Sequence, residues 1–188
     1  TANGGTTSNQ TANTIKWKAL SDQGGTYTIG VTAKDATHSA VACPSLTVTV
    51  IPPYNLTVAT YTKRSSQECS VTDTPAEGAS VTIRKVNVDG TTSEIPNGTN
   101  KATASDGTVT FSDISRRNSP IAIQTSYTPV GESCSPIYKL ACYNSEKVLS
   151  EEQNTPKIID IPVSGNPSNQ VFVFQKVAKP TWLTSIDG

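Results

Sequence analysis

The chain is poor in the residues on which most enzyme and metal chemistry depends. Across 188 residues it has one histidine, His38, no methionine, two tryptophans and only 16% charged side chains. A single imidazole excludes the histidine-based catalytic sets and most zinc sites. Its 15 basic residues balance 15 acidic ones, so no positive field gathers phosphates, and neither nucleic acid nor an anionic membrane is an expected partner. No run of about 18 apolar residues occurs, so membrane insertion is not expected, and no basic-then-apolar leader opens the sequence. The missing Met implies a chain processed after export or cut from a longer protein. Leucine, the helix former of most cores, appears 6 times.

What is present points one way. Side chains branched at Cβ are stiff and suit a pleated surface, so 28 Thr, 16 Val and 13 Ile read as a nearly all-β protein. With 21 Ser, the hydroxyl side chains number 49, a balance common in exported prokaryotic surface proteins. The length allows one large domain or two small ones, each with a core.

Four cysteines, Cys43, Cys69, Cys134 and Cys142, lack C-x-x-C spacing and a second histidine nearby, so no metal is expected. All four are disulfide candidates of an oxidising compartment. Cys69, Cys134 and Cys142 fall in loop-like stretches of the second half, and Cys69 is expected to pair with one of the other two. Cys43 lies about ten residues before Pro52-Pro53, on the order of 30 Å of extended chain, and its partner is left open.

Periodicity orders the chain. Residues 1–10, TANGGTTSNQ, have no pattern and predict a flexible tail unless something docks against them. TIKWKAL predicts a short strand centred on Trp17, a core residue. GTYTIGVTAKD reads as one strand with Tyr27, Ile29, Val31 and Ala33 on one face, and SLTVTVI as another with Leu46, Val48 and Val50 together. Pro52-Pro53 ends this first unit, because proline cannot continue a ladder.

Strands then resume. In ASVTIRKVNVDG the inward phase moves from Val81 and Ile83 to Val86 and Val88, which predicts a bulge near Arg84-Lys85. Pro96-Asn97-Gly98 and Asp106-Gly107 predict turns. NSEKVLSEEQ predicts a short helix capped by Asn144 or Ser145. QVFVFQKV is apolar on both faces, which requires a central strand or a covered one. Residues 179–188 read as a linker or docking tail carrying Trp182.

Two resemblances follow from these residues. W-K-A-L-S-D-Q-G-G-T-Y-T-I-G-V-T-A-K-D, a loop and L-T-V-T-V resemble the last three strands of a bacterial immunoglobulin-like or PKD-like domain over about 40 residues. Three strands cannot close a sandwich, so the first unit is expected to be partial, or completed by another segment. P-A-E-G-A-S-V-T-I-R, T-A-S-D-G-T-V-T-F-S-D-I and I-A-I-Q-T-S-Y resemble the transthyretin-like sandwiches, among them carboxypeptidase regulatory-like and collagen-adhesin B-type repeats. That likeness runs from Tyr54 to Val177, interrupted by an insertion between Tyr127 and Lys157. Tandem immunoglobulin-like and transthyretin-like β-sandwich units are therefore expected, with residues 1–52 a partial first unit and 53–178 the second.

Chemistry is weighed against plainer duties. Collagen-adhesin repeats often carry an internal Lys-to-Asn isopeptide bond. Lys63 and Asn169 resemble that pair, but the acid position reads Gln124, and an amide cannot shuttle the proton. Asp35, His38 and Cys43 lie within nine residues, yet no Gly-rich oxyanion turn accompanies them. Asp35, Asp89, Asp106 and Asp113 lack calcium-loop spacing, and turn duty explains Asp89-Gly90 and Asp106-Gly107 better. N-x-[ST] sequons at Asn9, Asn55 and Asn97 are candidate glycosylation positions, and chance gives about three in this composition.

No catalytic, cofactor-binding or metal residue is therefore expected. The resemblances imply an extracellular or cell-surface structural stalk or spacer module of a prokaryotic protein. The alternatives are a self-assembling filament subunit completed by strand donation and an adhesin binding module. Partners would be neighbouring domains, copies of the chain itself, or a host or cell-surface ligand.

Overall fold

The alternation of β-branched and polar residues is expressed as strands in both halves of the chain. The computed structural model describes residues 6–11, 14–18, 24–30, 32–33, 37, 41–64, 67–70, 74–129 and 138–177. It has two units, Thr1–Pro53 and Tyr54–Gly188. Asp35, His38, Cys134 and Trp182 lie outside the described residues.

In the first unit, β1 (Thr6–Thr11) pairs antiparallel with β2 (Thr14–Lys18), so part of the predicted tail is a strand. Its Thr and Ser residues suit a pleated strand, and pairing with the adjacent segment supplies the backbone partners that a lone tail lacks. The expected single strand from Gly25 is divided: β3 (Gly25–Ile29) and β4 (Thr32–Ala33) take different partners. β4 pairs with β5 (Val41–Ala42), and β3 pairs with β6 (Leu46–Val50). Tyr27↔Val48 and Ile29↔Leu46 share one face of that ribbon, Thr26↔Thr49 and Thr28↔Thr47 the other. Trp17 is half-buried rather than enclosed, its ring 5.3 Å from that of Tyr27. Gly24 is required by close approach, since a Cβ there would stand 2.2 Å from Pro52 Cδ.

The second unit is a two-sheet sandwich. Its strands are β7 (Tyr54–Lys63), β8 (Thr74–Pro75), β9 (Ser80–Val86), β10 (Thr92–Glu94), β11 (Lys101–Ala102), β12 (Thr108–Ile114), β13 (Ile121–Ser126), β14 (Tyr138–Tyr143), β15 (Glu146–Lys147), β16 (Lys157–Ile159) and β17 (Gln170–Lys176). One sheet has the order β10-β9-β13-β16, with β11 also on β9; the other has β12-β7-β17-β14-β15, with β8 also on β7. Leu56, Val58, Phe111, Leu140, Phe172 and Phe174 from one sheet meet Val81, Ile83, Ile121 and Ile123 from the other. Burying each such side chain stabilises by about 1.5–3 kcal/mol relative to exposure.

Two local expectations fail here. β9 runs against β13 without a register shift from Ser80 to Lys85, so no bulge lies at Arg84-Lys85. The strand simply ends at Val86, and Val88 is fully exposed in the turn beyond it. The irregularities fall elsewhere: between Phe111 and Ile114 of β12, where Asp113 has φ 59°, and between Leu140 and Cys142 of β14. The predicted helix at 144–153 is a β14–β15 hairpin followed by a 3₁₀ turn at Ser150–Glu152. Asn144 and Ser145 adopt left-handed conformations, φ 45° and 70°, and Val148 is buried with its N–H on Ala141 O. Tertiary pairing and burial of Val148 outweigh the local capping signal.

Candidate functional site

The feature that organises the second unit is the meeting of its first and last strands. β7 and β17 run parallel and in register from Val58↔Gln170 to Lys63↔Gln175. Both are central, with β12 outside β7 and β14 outside β17, so neither can be peeled from an edge. The two-sided apolar pattern of β17 fits this place: Phe172 and Phe174 join the intersheet core, and Val173 is buried apart from it. Because the strands are parallel, the chain enters at one end of the sandwich and leaves at the other. Tyr54 and Lys176 are separated by about ten residue levels, on the order of 33 Å.

The end where the chain enters is pinned by side chains. Arg116 lies 5.4 Å over the Tyr54 ring and donates to the carbonyls of Pro162 and Gly165, the latter at 2.6 Å. Asn55 N donates to Asn166 Oδ1 at 2.9 Å, and Asn55 Oδ1 accepts from Asp113 N at 3.2 Å. Burial drives the Tyr54 phenol pKa upward against the opposing pull of Arg116.

Midway up β7 a buried polar knot fixes the turns. Thr60 Oγ1 lies 3.1 Å from both Ala76 O and Gly107 O, and Thr103 Oγ1 donates to Ala76 O at 2.6 Å while accepting from Ala79 N at 3.0 Å. Gly107 has φ 76°, and a Cβ there would sit 2.4 Å from Thr60 O, so both backbone and space demand glycine.

Where the chain leaves, Cys69 and Cys142 form a disulfide with Cα atoms 5.6 Å apart and a sequence separation of 73. Cys142 is the register neighbour of Val173 on β17, and both are buried although neither belongs to the intersheet core. The bond therefore ties the segment after β7 onto the outer face of the β17–β14 pair. Lys63 Nζ donates to Gln67 O at 2.7 Å, and Arg64 N to Gln67 Oε1 at 2.6 Å, which shapes that segment. A polar cleft of about 490 Å³ lies beside it, lined in part by Lys63, Gln67, Glu68, Lys147, Gln153 and Gln175. It offers amides, two ammonium groups and the Glu68 carboxylate.

The remaining sequence candidates are placed as follows. Cys43 is a free, exposed thiol between β5 and β6, which corrects its candidacy for a disulfide; Cys69 and Cys142 occupy each other. Lys63 and Asn169 are kept apart, since Asn169 adjoins Gln170 at the level of Val58, five residues and about 17 Å from Lys63. Gln124 is exposed on β13. Asp89 Oδ1 accepts from Thr91 Oγ1 at 2.7 Å and Thr91 N at 3.0 Å; Asp106 Oδ1 accepts from Thr108 N and Oγ1, both at 2.8 Å. These bonds hold both carboxyls below the ordinary carboxylate range. Among the described residues no group of three His, Cys, Asp or Glu side chains could hold a metal. Asn97 is exposed in its turn with φ 59°, Asn55 is exposed on β7, and Asn9 lies on β1. Sequence reasoning missed Thr60, Thr103 and Arg116. The D-G turn hinted at Gly107, but no local signal marks a threonine buried by partners over 15 residues away.

No family model and no curated protein matches this chain. Among solved structures it is similar to the pilus adhesin RrgA from Streptococcus pneumoniae, at 13% identity and a TM-score of 0.41, over 77% of this chain and 19% of that one. It is also similar to the group B streptococcus pilus 2b backbone protein, at 15% identity and a TM-score of 0.39, over 89% of this chain and 55% of that one. The chain thus spans less than two thirds of either, and likenesses of this size define no family for it.

Proposed function

We propose that the chain is a non-catalytic stalk or spacer module of a secreted or cell-surface prokaryotic protein. One observation carries this reading: the first and last strands of the second unit are parallel, central and in register. Pulling on the chain at its two ends drags β7 and β17 in opposite directions along their axes. The ladder is then loaded in shear, with its hydrogen bonds sharing the force instead of breaking one after another. The disulfide fits an oxidising compartment. In this reading residues 53–178 are a transthyretin-like sandwich, residues 1–52 a partial immunoglobulin-like unit, and neighbouring domains are the partners.

The first unit favours a second reading, a filament subunit completed by a strand from another copy. Its β3–β6 ribbon leaves Leu46 61% exposed and Tyr27, Ile29, Val48 and Val50 only half-buried, and incompletely covered strands invite β-augmentation. Light scattering after size exclusion at two concentrations separates the two. A spacer gives a concentration-independent 19.8 kDa species; a ladder of masses overturns that reading in favour of the filament subunit.

A further inference from the structure

We propose that the Cys69–Cys142 bond is an extension stop: when the β7–β17 ladder shears, it shortens the covalent path through the second unit and keeps most of that unit off it. The inference rests on the spacer reading for its use, but its mechanics stand on the topology alone. Tension entering at Tyr54 runs along β7 to Cys69. With the bond intact it crosses to Cys142 on β14 and continues through β15, β16 and β17 to Lys176. Everything between the two cysteines, β8 to β13 and the first four residues of β14, sits in a closed loop that carries no tension.

The placement of the bond makes this effective. Cys69 follows β7 by six residues, and Cys142 lies on β14, the neighbour of β17. The loop encloses β9 and β13, which supply Val81, Ile83, Ile121 and Ile123 to the core. After the ladder breaks, only residues 54–69 and 142–176 can lengthen, roughly 50 of roughly 120, so the unit yields about 150 Å; without the bond it yields about 400 Å. A stalk built this way would give a little under overload and then hold, with its central strands still tethered close together for re-pairing.

The test is single-molecule pulling on the full chain, held by terminal peptide tags because Cys43 offers a free thiol. Total extension is compared for the oxidised protein, the same protein under reductant, and Cys69→Ser/Cys142→Ser. The first unit contributes equally in each, so the expected result is an extension about 250 Å longer in the latter two, the length of a 73-residue loop. Equal extensions overturn the proposal. Should the Ser variant fail to fold, the oxidised protein still decides, because an event of about 400 Å from the second unit also overturns it. A mass ladder in light scattering would overturn the spacer reading and leave the 250 Å difference untouched, so the two failures are distinguishable.

Discussion

The two units draw on the same residues and reach different states. Val81 and Ile83 on β9 are fully buried, because β7, β12 and β17 lie across from them. Tyr27, Ile29 and Val48 on the β3–β6 ribbon show the same alternation, yet each is only half-buried. Alternation is enough to make a strand, whereas a core needs a second sheet, and a sheet needs strands brought from far away in sequence. The second unit obtains this by setting its last strand beside its first, over 100 residues apart. A large gap in stability between the units is the expected outcome.

The largest effect that could break this comparison is loss of a central aromatic. Phe172→Ala should destabilise the second unit by up to about 5 kcal/mol, while Tyr27→Ala, at a half-buried site, should cost the first unit only about 1 kcal/mol. Urea unfolding in a Trp182→Phe background lets Trp17 fluorescence report the first unit and circular dichroism report both. Equal sensitivity of the two units would mean that the first is closed after all.

Removal of the cross-link comes next. Cys69→Ser/Cys142→Ser frees a loop of 73 residues, which should lower the stability of the second unit by about 4 kcal/mol and leave the Trp17 transition unmoved. Movement of both transitions would show that the units unfold together. A smaller loss is expected from Gly107→Ala, about 2–3 kcal/mol, since the residue must hold φ 76° with its new Cβ against Thr60 O. Asn at the same position tolerates the backbone but not the contact, so Gly107→Asn should recover little; full recovery would assign the cost to φ alone.

What could be read in the sequence beforehand was what lies within a few residues. Alternation located β3, β6, β9 and β17, and the D-G and P-N-G turns fall at Asp106-Gly107 and Asn97. The failures are all cases where a pairing partner or the core, not the segment's own pattern, decides. β1 is a strand because β2 pairs with it, the 144–153 segment is a hairpin because Val148 finds the core, and β9 stays regular because β13 holds its register. The disulfide belongs to the same class: spacing left two partners open for Cys69, and only the β14–β17 pairing puts Cys142 within reach. The parallel β7–β17 pair, on which the proposed function rests, has no local signature at all.

The smallest effect tests the turns that close the second unit. Hydrogen bonds from Thr91 and Thr108 favour the ionised forms of Asp89 and Asp106, so each carboxyl titrates below its ordinary value near 3.8. A depressed folded pKa contributes stability that is complete above the unfolded value and is lost as pH falls through the folded one. Both turns should therefore loosen only on acidification below that ordinary value, with no change across the neutral range. The dominant donor differs: for Asp89 it is the Thr91 hydroxyl, for Asp106 the Thr108 main-chain N–H. In carboxyl NMR titrations, Thr91→Val should consequently raise the Asp89 pKa more than Thr108→Val raises that of Asp106. The reverse order would mean that the hydroxyl, not the backbone, sets the β11–β12 turn.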